Sequence, residues 1–214
     1  MIKIENVETF GWKAAIRGMR NPMNSWNKSD SEFEDYVLDY ATGKAVAFPC
    51  LKIGSADLKL MKSLVKTGTD HRKFMRMITV YLDITAPLYW WKEFSTYKVG
   101  TVANSCSTMH KIADKEFTLE DFSCEHLFGP DDMLKYDERA DIAKDNALAA
   151  VDVDGHWCYF TPRGYVQMTC SILNHYREKY LETKDKKYWW QMIQLLPSSY
   201  NQRRTVMLNY EVLA

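Results

Sequence analysis

Arg76 to Lys111, RMITVYLDITAPLYWWKEFSTYKVGTVANSCSTMHK, reads as a buried strand, a proline-started aromatic helix and a long polar loop. From Met77 to Ile84 the residues alternate. Ile78, Val80, Leu82 and Ile84 share one side, and Met77, Thr79, Tyr81 and Asp83 share the other, as in a strand covered on one face. Thr85 is placed to cap the next helix, with Pro87 in its first turn, where a missing N–H costs nothing. Leu88, Trp91 and Phe94 or Ser95 fall on one helix face, so the aromatic rings pack on the strand's apolar side. After Phe94 the character changes. Ser95, Thr96, Thr101, Asn104, Ser105, Ser107 and Thr108 crowd short hydrogen-bonding groups around a permissive Gly100. A hydroxyl- and amide-rich loop on a strand–helix support is a usual place for a binding site.

Upstream, Ile2 to Val7 predicts a short strand and Thr9 to Met19 a helix burying Trp12, Ala15, Ile16 and Met19. Lys13, Arg17 and Arg20 make a basic stripe on that helix, open to two readings, a solvated face or a phosphate contact. Asn21 to Asp30 is a polar turn region, and Glu32 to Tyr40 predicts an amphipathic helix closed by Gly43. Ala45 to Ile53 is a short strand or loop. Ser55 caps a helix to Thr67 with Leu58, Met61, Leu64 and Val65 inward, and Gly68 stops it. His71, in the connector, fits a surface or capping role.

Downstream, Thr118 and Asp121 form a capping pair for a short helix ending near Phe128. Asp131 or Asp132 starts a helix to about Val151, and Val151 to Gly164 is irregular, with an Asp154-Gly155 turn. Helices follow over Tyr165–Leu181 and Lys186–Leu196. Ser199 starts a last helix running to Ala214 without a stop signal, so the chain end reads as cut.

With 214 residues and 46% hydrophobic content, the chain is long enough for one sizeable core, and a single domain over 1–214 is expected. A formal charge of zero argues against a nucleic-acid polymer or a membrane surface as partner. Five scattered Cys without a CxxC pair suit free thiols in the cytoplasm. No apolar run spans a bilayer. GxGxxG, Walker, GxSxG and HExxH motifs are absent. His156 with Cys158 lacks a second ligand pair for a metal, and Asp152 with Asp154 lacks the rest of a calcium loop. Cys106 and His110 touch only if their segment is helical. No catalytic residue is nominated.

The order of these pieces resembles the flavin-dependent thymidylate synthases. That family has a helix ending at Gly, a strand ending in Ala-Pro, an aromatic helix and the signature R-H-R-x-x-S-x-N-E-x-S-x-R-Y. Here Gly68, Met77–Ile84, Ala86-Pro87, Trp90-Trp91, Phe94 and then STYKVGTVANSCSTMHK follow the same order. Leu196-Pro197, Tyr200, Asn209 and Leu213 echo a later family segment, and AAIRGMRNPMNSW sits where the family has A-R-x-S. The resemblance implies an α+β fold, an antiparallel sheet flanked by helices, with the C-terminal part of the family fold missing. It also implies FAD as cofactor, methyl transfer from methylene-tetrahydrofolate to dUMP, and a homotetramer with sites at subunit interfaces.

Departures accompany it. Asn104 and Ser107 align with the signature's Asn and second Ser, Ser105 replaces Glu, and Thr101 approximates the first Ser. The three signature arginines have no counterpart: Ser95 to Lys98 offer one Lys, and Met109 or His110 stands at the last. Ile193 and Glu211 stand where the family has other arginines. By position, the resemblance assigns Lys98, Thr101, Asn104, Ser105, Ser107 and Asn209 to cofactor binding. Arg17, Arg20, Lys111, Arg203 and Arg204 are the substrate-binding candidates. Three functions stay open: a divergent flavin-dependent thymidylate synthase or pyrimidine-modifying relative, a non-catalytic nucleotide or flavin binder, and an oligomeric interaction protein such as one encoded by a phage.

Overall fold

The computed structural model describes residues 2–34, 37–39, 44–46, 50–97, 99–129, 149–153 and 156–214. In chain order the strands and helices are β1 (Lys3–Phe10), α1 (Trp12–Arg20), β2 (Glu32–Glu34), β3 (Val37–Asp39), β4 (Lys44–Val46), β5 (Cys50–Lys52) and α2 (Ser55–Thr67). Then come β6 (Thr79–Pro87), α3 (Leu88–Phe94), β7 (Val102–Ser105), α4 (Thr108–Lys111), β8 (Ala149–Val153) and β9 (His156–Phe160). The chain ends with α5 (Pro162–Thr183), α6 (Lys186–Leu195), β10 (Asn201–Asn209) and α7 (Tyr210–Leu213). The architecture is α+β, helices with antiparallel sheet. Its main sheet has four strands in the order β1-β6-β10-β7.

β6 is an interior strand of that sheet, between β1 and β10. Val80, Leu82 and Ile84 are buried, as is Ile78 just ahead of the strand, whereas Tyr81 on the other face is exposed. The strand expected from Met77 starts at Thr79, because Lys73–Met77 forms a short 3-10 turn. Side chains of successive strand residues point to opposite faces, so one apolar set buries as a block.

The described chain divides into two compact units. One comprises Met1–Ile4, Ile84–Thr96 and Ser105–Arg204. Its core joins Phe117, Phe122, Val166, Cys170, Leu173 and Met192, with α5 and α6 packed side by side. Thr161 caps α5 by accepting the Gly164 N–H, a left-handed Lys184 ends it, and Asp185 caps α6. The other unit comprises Glu5–Asp83, Tyr97–Asn104 and Thr205–Ala214, with a core of Ala15, Ile16, Met19, Met61, Phe74, Met75 and Ile78.

Several expectations are corrected. The helix expected over Glu32–Tyr40 is replaced by β2, paired antiparallel with β5, and β3, paired with β4. Phe33 and Val37 fit either period, and available strand partners decide such short apolar runs. The last helix from Ser199 is replaced by β10, in which Gln202, Val206 and Leu208 are buried and only Tyr210–Leu213 is helical. The polar loop after Phe94 contains β7 and α4. The irregular stretch after Val151 is the β8–β9 hairpin, so the preceding helix does not reach Val151. The rest of that expected helix, and the Asp154-Gly155 turn, lie outside the described residues. The turn capped by Thr118 and Asp121 has its capping box but stops at Asp121, short of Phe128.

At the two central helix starts the caps differ from expectation. Pro87 closes the strand at ψ 153°, ahead of the helix. The Leu88 and Tyr89 N–H groups donate to the Tyr200 and Ser198 carbonyls at 2.9 and 3.0 Å. Gly54, not Ser55, occupies the cap of α2, and the Asp30 carboxylate accepts the Ala56 and Asp57 N–H groups at 2.8 and 3.0 Å. These hydrogen bonds, the Ala56 one first, hold the Asp30 carboxyl below its usual range. Leu58, expected inside, is exposed.

Candidate functional site

Residues from 106–112 and 200–203 form one small pocket, of about 170 Å³. That is the share of roughly five to six waters at about 30 Å³ each, room for one small ring or a phosphate. Cys106, Ser107 and Lys111 form one wall; Tyr200, Asn201, Gln202 and Arg203 form the other. Backbone pairing holds the walls together. The Cys106 N–H donates to the Arg203 carbonyl at 3.0 Å, and Gln202 Nε2 donates to the Cys106 carbonyl at 2.9 Å.

The support behind Gln202 is rigid. Trp91 is 1% exposed and its Nε1 donates to the Gln202 carbonyl at 2.9 Å. The Arg204 guanidinium lies 4.3 Å from the Trp91 ring centroid, and its Nε donates to Gln202 Oε1 at 2.9 Å. Burial lowers the Arg204 pKa. Arg204 thus braces the wall through a cation–π contact.

Two features point to ligand chemistry. Asn201 Oδ1 is buried without a hydrogen-bond donor among the described residues, while its Nδ2 donates to the Glu120 carbonyl at 3.4 Å. A buried acceptor left open is costly, and a ligand N–H would satisfy it. Burial, and then the nearby Asp121 charge, pushes the Tyr200 phenol upward, keeping it a neutral hydrogen-bonding group. Asp121 is itself bound by Lys115. Cations stand at the rim: Lys111, exposed and 2.9 Å from Asp114, and Arg203. The arrangement suits recognition of a polar, anionic ligand.

The expected site residues divide between the two units. Ser105, Ser107, Lys111, Arg203 and Arg204 lie in the first; Arg17, Arg20, Thr101, Asn104 and Asn209 lie in the second. Ser107, Lys111 and Arg203 meet in the pocket. Ser107 is also the cap of α4, accepting the His110 N–H at 3.0 Å and sharing a 2.9 Å hydrogen bond with His110 Nδ1. His110 Nδ1 is thus engaged by Ser107. Asn104 and Ser105 are exposed on β7, and Lys98 lies outside the described residues.

In the second unit, Thr101 donates to the Tyr97 carbonyl and Asn209 caps α7, accepting the Glu211 and Val212 N–H groups. Gly100 has φ +72°, and an added Cβ would lie 2.5 Å from Asn209 Nδ2, so this turn needs a glycine. Arg17 is exposed on α1. Arg20 is not available to a ligand. It is 4% exposed, and its Nε donates to Asp57 Oδ1 at 2.6 Å. Glu211 binds both Arg72 and Arg76.

Sequence reasoning missed a second, larger cleft in the first unit, about 620 Å³, lined in part by Tyr89, Cys124, Leu127, Tyr165 and Pro197. Tyr89 Oη and Ser123 Oγ lie 3.1 Å apart on its wall, and Ser123 Oγ donates to Glu125 Oε2 at 3.2 Å. The available signal was Tyr89, which falls on the solvent side of the helix that buries Trp91. Among the described residues, no group of three or more His, Cys, Asp or Glu could hold a metal, and no helix is long and apolar enough to cross a membrane.

No family model matches the sequence, and no curated protein is significantly similar to it. Solved structures do match. A crystal structure of thymidylate synthase X from Helicobacter pylori with FAD and dUMP aligns over 100% of this chain and 80% of that chain, with a TM-score of 0.58 and 13% identity. The fold is that of the flavin-dependent thymidylate synthases. A second Helicobacter pylori complex with FAD and dUMP aligns over 99% and 80% at 14% identity, with a TM-score of 0.57. The UMP/dUMP methylase PolB from Streptomyces cacaoi, bound with 5-Br dUMP, aligns over 100% and 75% at 11% identity, with a TM-score of 0.52. At such identities the likeness to the thymidylate synthase fold concerns backbone architecture, not side-chain chemistry.

Proposed function

We propose that this chain is a divergent relative of the flavin-dependent thymidylate synthases that binds a pyrimidine deoxynucleotide. One observation carries the reading: in a fold shared with structures that hold dUMP, Asn201 lines a ring-sized pocket and its buried Oδ1 has no donor among the described residues. A uracil ring offers an imide N–H to that oxygen. Lys111 and Arg203 at the rim then meet the phosphate, and neutral Tyr200 hydrogen-bonds the ring or sugar.

FAD is the cofactor the fold implies, and its diphosphate is a poor fit to the described residues. Within the described part of Ser95–Lys111, Lys111 is the only Lys or Arg, one cation for a diphosphate. Arg20 is sealed against Asp57. Losing charged hydrogen bonds weakens a phosphate site by about 1.5–3 kcal/mol each. No methyl-transfer step is therefore assigned, and this misfit favours a second reading, a nucleotide-binding protein without turnover. In either reading the chain works as a homo-oligomer, a tetramer, which covers its exposed Tyr, Trp and Val side chains.

Calorimetric titration with dUMP tests the proposal. Wild type should bind, and Asn201→Ala should weaken binding at least about five-fold, one lost hydrogen bond. No binding at millimolar dUMP, or an unchanged Asn201→Ala, removes the pocket as a nucleotide site. Flavin absorbance in the purified protein, followed by turnover with dUMP and methylene-tetrahydrofolate, separates an enzyme from a binder.

A further inference from the structure

The second unit holds a cleft of about 330 Å³ that the nucleotide reading does not use. Its floor is core: Met61, Phe74, Met75 and Ile78 are each 7% exposed or less. Trp12 and Tyr210, whose rings meet edge to face at 5.0 Å, form one wall, and Ile53 and Val65 also line it. Its lining is almost entirely carbon, and its volume lies at the small end of the roughly 300–1,000 Å³ usual for ligand sites.

The mouth has a different chemistry. Leu58, which helical periodicity assigns to the core, stands 41% exposed at the lip beside Lys62 and Lys66. These two lysines are one helical turn apart on α2 and also line an adjoining groove with Lys59. None of the three lysines has an ion pair among the described residues. The only acid on α2, Asp57, is buried against Arg20 and does not offset them.

We infer that this cleft between α1, α2 and α7 binds an amphipathic carboxylate, a medium-chain fatty acid, with its tail on the Met61–Phe74 floor and its head on Lys62 and Lys66. Two physical properties select this class. A dry apolar floor favours an alkyl chain, and unpaired cations at the opening favour an acidic head over a neutral or basic one. The inference is independent of nucleotide binding, because no residue of the nucleotide pocket lines this cleft.

The test is calorimetric titration of the full chain with hexanoate, octanoate and decanoate below their micellar concentrations. One site per chain is expected, with affinity rising about four-fold per methylene until the cleft is filled. The surface variant Lys62→Glu/Lys66→Glu should fold normally and weaken decanoate at least ten-fold, and Val65→Trp should block the tail. Decanol should bind more weakly than decanoate, and decylamine more weakly still. Absent decanoate binding, equal binding of the three head groups, or unchanged affinity in the lysine variant overturns the inference. So does a dimer in sedimentation that the lysine variant dissociates and decanoate leaves intact, because the occupant is then a second copy.

Discussion

Asp57→Ala should be among the most damaging single changes in the second unit, by a mechanism that also explains why Arg20 cannot serve a ligand. Asp57 is 0% exposed. Its Oδ1 accepts Arg20 Nε at 2.6 Å, and its Oδ2 accepts the Ser29 and Ser31 hydroxyls at 2.7 and 2.6 Å and the Asp30 and Ser31 N–H groups at 3.2 Å. Removing the carboxylate leaves a guanidinium that is 4% exposed without its counter-charge. Breaking a buried pair in this way costs about 3–5 kcal/mol. At about 2–4 °C per kcal/mol for a chain of this size, the melting temperature should fall by about 6–20 °C. Arg20→Met/Asp57→Leu should recover at least half of the loss, because the stranded charge is gone.

Burial pushes the Asp57 carboxyl up, but the Ser31, Ser29 and Arg20 hydrogen bonds outweigh it, so its pKa lies below the ordinary 3.8. A depressed carboxyl stabilises the fold above the unfolded value, and that contribution is lost as pH falls through the lower folded value. Thermal melts followed by circular dichroism from pH 7 down to pH 3 read both effects. A drop under about 2 °C for Asp57→Ala at pH 7, or simple additivity in the double variant, would refute the buried-pair argument.

Three further outcomes are expected. Trp91→Phe keeps most of the ring but removes the donor to the Gln202 carbonyl and weakens the Arg204 contact, so urea unfolding should show a loss of about 1–3 kcal/mol. Gly100→Ala forces a Cβ into a left-handed turn against Asn209 and should destabilise by about 1–2 kcal/mol, with hydrogen exchange rising first in residues 99–104. Glu211→Gln releases Arg72 and Arg76. The Arg76 hydrogen bond foremost holds the Glu211 pKa below 4.5, so wild-type stability should fall as acid protonates Glu211, and the variant should lack that step in pH-dependent melts.

The order of elements around β6 was legible because alternation is a local property: the buried set Ile78, Val80, Leu82 and Ile84 needs no knowledge of a partner strand. The helices burying Ile16, Met61 and Leu173 were readable for the same reason. Glu32–Tyr40 and Ser199–Ala214 were misread because their apolar spacing suits either period, and strand pairing with distant partners settled the matter. The candidate site divides likewise. The hydroxyls and amides of 95–111 marked a polar region by composition alone, whereas Arg203 became a candidate only through the family resemblance. Only the tertiary structure removed Arg20, by burying it on an Asp57 that lies 37 residues away. Only the tertiary structure supplied Asn201, whose significance is a missing partner in space. The sequence by itself determined which residues have to be covered; which charge is neutralised and which acceptor is left open depended on contacts between segments far apart in the chain, where burial sets the cost.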